Sequence, residues 1–134
     1  MLEKIKEWIE SCPLLNNGKI NVDYLDEKVY SYSIDRTPNA IEYQPFVFGG
    51  GKRQLTFDFT CTLPYSSKAL DNLVNSKFGE DLAQWVYEKN LAKELPDIEG
   101  AFKIECITPA YVLQKSSTIA VYIMQFRFVY YELN

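Results

Sequence analysis

The chain has 134 residues, 47% hydrophobic and 24% charged, with a net charge of −4. That length and balance fit one domain spanning 1–134 and imply no strong electrostatic grip on nucleic acid or an anionic membrane. Histidine is absent, which removes Ser–His and Cys–His nucleophile pairs and His-ligated metals.

Residues 2–11 open the chain with Leu2, Ile5, Ile9 and Cys12 at spacings of three and four, and Trp8 widens the stripe. This predicts an amphipathic helix, stopped by Pro13 and the Asn16-Asn17-Gly18 cluster. The charged start, MLEKIKEWIESC, does not read as a secretory signal. No apolar run approaches the roughly 18 residues that a membrane-spanning helix needs. Residues 19–25 suit a short strand. Residues 29–35 alternate, with Tyr30, Tyr32 and Ile34 on one side and Ser31, Ser33 and Asp35 on the other. Thr37-Pro38-Asn39 is expected to break this strand, and residues 40–48 to form another. Pro45 marks that one as an edge or a bulge.

The next stretch, FVFGGGKRQLTFDFT (46–60), raises the question of phosphate binding. A phosphate-cradling glycine loop leads directly into a helix, whose free N–H groups and dipole hold the anion. Here Leu55, Phe57, Phe59, Cys61 and Leu63 alternate with polar residues, so a strand follows. Arg53 also stands where the Walker pattern requires Ser or Thr. Gly49-Gly50-Gly51 is therefore read as a hairpin turn.

Pro64 ends that strand, and Ser66 or Ser67 can cap a helix over 67–76 with Leu70, Leu73 and Val74 inward. Gly79 is expected to interrupt or bend it. Phe78, Leu82, Trp85 and Val86 continue the helical spacing to about Ala92. Residues 95–97 are a linker. Phe102, Ile104 and Cys106 alternate in a further strand closed by Pro109, and residues 108–118 read as a loop or a bulged strand. The last strand covers residues 119–133. Tyr122, Met124, Phe126, Phe128 and Tyr130 share one face. Ile119, Val121, Ile123, Gln125, Arg127, Val129 and Tyr131 share the other. Both faces read as largely apolar, so the second is expected to be covered or to lie between subunits. The whole predicts an α+β fold, a mainly antiparallel sheet with an N-terminal helix and a central helix or helical hairpin packed on it.

Cys12, Cys61 and Cys106 lie far apart, odd in number and among apolar neighbours. They read as reduced core thiols of a cytoplasmic product. No CxxC pair supports a metal site, and no cofactor is expected. Glu80, Asp81 and Glu88 form the densest acidic group on the central helix. Asp81 and Glu88 lie two turns apart on one side, the spacing of a solvated face rather than of an acid–base pair.

The order of elements resembles the tail terminator proteins of tailed bacteriophages and of phage-tail-like bacteriocins. It is most similar to small tail-region proteins from prophages of Gram-positive bacteria. The resemblance is carried by IKEWIESCPLL (5–15), NVDYL (21–25), SYSID (31–35), RQLTFDFT (53–60), NLVNSKFGEDLAQWVYEKN (72–90) and YIMQFRFVYYE (122–132). It implies a structural, non-enzymatic virion protein that caps the finished tail tube as a hexameric ring. Its implied partners are other copies of itself, the tube protein, and the sheath and neck or connector proteins. It also implies passage of DNA through the ring lumen. The alternative within the same assembly is a head–tail stopper or adaptor of the neck. A closed ring needs two different adhesive patches on each subunit. The candidates are the edge carrying Tyr30 and Tyr32, the second face of the last strand with Arg127 and Tyr131, and a lumen loop with Lys52 and Arg53.

Overall fold

The computed structural model describes residues 2–15, 20–22, 25, 30–65, 69–116 and 118–132. Helix α1 is Leu2–Glu10, followed by a single 3-10 turn at Pro13–Leu15. Strands β1 (Ile20–Val22), β2 (Ser31–Pro45) and β3 (Gly51–Pro64) precede helix α2 (Ala69–Leu91). Strands β4 (Ala101–Lys115) and β5 (Ile119–Glu132) complete the described elements. The five strands form one sheet in the order β1-β2-β3-β5-β4, antiparallel except for the β1–β2 pair. The result is the α+β class that the segregated pattern predicts.

The period-two pattern of β3 decides the centre. β3 and β5 pair without a shift from Gly51 opposite Glu132 to Pro64 opposite Ile119. This register puts Leu55, Phe57, Phe59 and Cys61 beside Phe128, Phe126, Met124 and Tyr122 on one face. Phe57 and Phe126 stack with ring centroids 5.7 Å apart, and Phe59 meets Phe126 edge-on at 6.5 Å. Each such ring, fully buried, contributes about 1.5–3 kcal/mol.

Both helices join this core. α1 contributes Leu2, Ile5 and Ile9, and α2 contributes Leu82 and Val86. Trp8 packs on Trp85 at 4.8 Å, and its indole N–H donates to the Glu94 carbonyl over 2.8 Å. That contact ties α1 to the segment that follows α2. Asn75 donates to the Pro64 carbonyl at 2.7 Å and to the Tyr122 hydroxyl at 3.3 Å, fixing the start of α2 against the sheet.

Four local expectations change. Residues 37–39 do not break the chain into two strands. β2 runs through them, and its pairing with β3 slips between Arg36 and Ile41. A bulge lets Pro38 sit in the strand, and among the described residues β1 pairs only with Tyr32–Ile34 of β2. Gly79 does not interrupt α2, which is one helix throughout. A Cβ there would lie 2.6 Å from the Ala110 Cβ, so the glycine serves close approach of helix to strand rather than bending. Pro109 lies inside β4, among three successive register shifts over residues 106–114. Residues 108–115 are thus bulged strand. Finally, the shift between Ala101 and Lys103 turns Phe102 away from the face of Ile104. Its ring meets Tyr131 at 5.1 Å instead. The Ser66/Ser67 cap, the side chains of Leu70, Leu73 and Val74, and residues 23–24 of the first strand lie outside the described residues.

Candidate assembly surface

The turn at Gly49–Gly51 is a hairpin, as its sequence predicts. Phe46 N–H donates to the Gly50 carbonyl at 3.0 Å, and Gly49 N–H donates to the Phe46 carbonyl at 3.3 Å. Gly49 and Gly50 have φ of 102° and 70°, the left-handed region that glycine enters without a Cβ clash. The Tyr43 hydroxyl donates to the Gly50 carbonyl at 3.2 Å, and the Phe46 ring faces Tyr131 at 6.0 Å. These contacts brace the tip, leaving Val47 and Phe48 94% and 101% exposed.

Arg53 faces the helix side of the sheet and is ion-paired to Glu132. Its guanidinium lies 4.2 Å from the Tyr43 ring centre. The hydrogen bond that Arg53 donates to Glu132 raises the guanidinium pKa above its ordinary value. Arg53 is therefore a strand clamp at the hairpin root, with its charge balanced locally. Lys52 points to the opposite face, beside Tyr131. The proposed pair of lumen cations thus divides between two faces.

Tyr30 sits at the entry to β2 with φ of 60°, its N–H donating to the Thr62 carbonyl at 2.6 Å, and it is half exposed. Tyr32 is not on an adhesive edge. It is 1% exposed, stacked between Phe59 at 5.9 Å and Phe78 at 6.2 Å. Burial pushes its phenol up to about 12. The period-two rule placed it correctly beside Ile34, but that face is the core.

The second face of β5 is also not a continuous apolar surface. Val121 and Val129 are buried. Their neighbours across the strands are Thr62 and Gln54, and Gln125 and Arg127 oppose Asp58 and Thr56. Gln125 donates to Asp58 at 3.2 Å, and Arg127 reaches Glu105 through Nε at 2.9 Å and Nη2 at 2.6 Å. Burial raises the Asp58 carboxyl above its ordinary range, against the lowering pull of Gln125. For Glu105 burial acts upward too, but the bond from Arg127 and the charge of Lys103 outweigh it and leave the group lowered.

Among the described residues, runs of three consecutive exposed large apolar side chains occur in two places. One is the hairpin tip, Phe46 to Phe48. The other is the outer half of β4, where Tyr111, Val112 and Leu113 are each about half exposed. β4 is a border strand. Three consecutive apolar residues on it put apolar side chains on both faces at once. The two patches lie at opposite ends of the sheet, since the tip adjoins Glu132 and Val112 pairs with Tyr122.

The inner half of β4 is treated differently. Asn90 of α2 accepts from the Ile104 N–H at 2.8 Å and donates to the Ile104 carbonyl. Its amide also donates to the Val86 carbonyl at 2.7 Å. One side chain thus imitates a neighbouring strand and occupies the border there. Next to it, α2 and β4 bound a groove of about 440 Å³ lined by Ala83, Val86, Tyr87, Asn90, Lys103, Ile104, Glu105 and Cys106. The groove continues past Gly79 and Ala110 into a further 450 Å³.

Glu80 and Glu88 are exposed on α2, and Glu88 accepts from Gln84 at 3.3 Å. Among the described residues no group of three or more acids or cysteines is arranged to hold a metal ion. Cys12, Cys61 and Cys106 are free thiols, the first two buried. No described helix is long and apolar enough to cross a membrane. No family model and no curated protein matches the chain.

The tip and Asn90 were not singled out by sequence. The signal for the tip was the unalternating apolar run before the glycines. Asn90 carried none, because its role depends on which backbone groups face it.

Proposed function

We propose that the chain is a structural subunit that works by self-association, a tail terminator capping the tail tube of a phage or tail-like particle as a hexameric ring. The observation that carries this reading is a pair of separate runs of three exposed apolar side chains, one at the hairpin tip and one on the outer half of β4. A head-to-tail interface uses two unlike patches, and a rotation that closes yields a ring. The resemblance along nearly the whole chain supplies the identity of the assembly. Tube, sheath and neck proteins are the partners it implies, and the virion or tail-like particle is its location. Lys52, beside Tyr131, is the cation left for a lumen through which DNA passes. The role is one of shape and adhesion, without bond-making.

Light scattering with negative-stain imaging tests the ring. Particles of six copies are expected, and a monomer at every concentration defeats the proposal. Addition to polymerising tube protein then separates a terminator from a neck stopper or adaptor. A terminator halts tube growth, whereas the alternatives leave tube length unchanged.

A further inference from the structure

We draw no further inference here: the strongest candidate, the outer half of the border strand β4 where Tyr111, Val112 and Leu113 are exposed, carries nothing because nothing in the structure shows what covers it.

Discussion

Asn90 closes the border of the sheet at Ile104 by taking both of its outward backbone groups, the N–H at 2.8 Å and the carbonyl. A helix side chain thereby substitutes for a sixth strand. Asn90→Ala leaves both groups without their partner, at about 1–3 kcal/mol for a buried group so orphaned. A loss of about 2 kcal/mol is expected, read as a lower urea midpoint with an unchanged slope. Asn90→Asp keeps the acceptor but turns a carboxylate oxygen toward the Val86 and Ile104 carbonyls, so at neutral pH it should cost at least as much as Asn90→Ala. Equal midpoints for parent and Asn90→Ala would show that water replaces the amide fully.

Gly79 and Ala110 set the distance between α2 and β4. A Cβ on residue 79 would approach the Ala110 Cβ to 2.6 Å. Gly79→Ala gains about 1 kcal/mol of helix propensity but overpacks the seam, a change that typically costs about 1–3 kcal/mol. A net loss is expected. Ala110→Gly in the same chain should restore most of it, giving a coupling energy of about 1 kcal/mol in a double-mutant cycle. Simple additivity of the two substitutions would refute the contact.

Phe126 lies at the centre of the core, stacked on Phe57 and edge-on to Phe59. Phe126→Ala should cost about 3–5 kcal/mol. Thermal melting checks it, and an unshifted Tm would mean that the two faces of β5 are assigned the wrong way round.

Asp58 and Glu105 predict pH effects of opposite sign. The Asp58 carboxyl is raised in the folded chain by burial, with Gln125 as its hydrogen-bond donor and Asp35 directly opposite on β2. A raised group contributes stability at low pH that is lost as pH rises through its folded value. Asp58→Asn should therefore raise Tm at pH 7, and the gain should vanish below about pH 4. Glu105 is lowered, so its contribution is present at neutral pH and lost on acidification through its folded value. Glu105→Gln should lower Tm at pH 7 and have little effect in acid. Melts of both variants at pH 7 and pH 3 decide the signs.

Much of the fold can be read from the alternation itself. Phe57 and Phe59 on one side of a strand, and Phe126 and Phe128 on one side of another, commit those faces to a core because no other arrangement hides four rings. The same rule read the glycine turn correctly, since a strand and not a helix follows Gly51. Legibility fails where pairing overrides local pattern. Thr37-Pro38-Asn39 looks like a break, yet a bulge absorbs it within β2, and bulges along β4 rotate Phe102 outward and admit Pro109. A side chain's facing is counted from its neighbours in sequence, whereas a bulge changes the count through the partner strand.

For the candidate surface, composition alone determined that this chain has aromatic rings to spare and no histidine with which to do nucleophile or metal chemistry. Alternation determined that most of those rings go inward. Which rings stay outside was decided only in three dimensions. Tyr32 disappears between Phe59 and Phe78, while Phe48, three residues from a buried glycine, stands free on a braced tip. Exposure belongs to the packing of elements distant in sequence. A residue's own neighbours in the chain therefore specify its direction but not what waits in that direction.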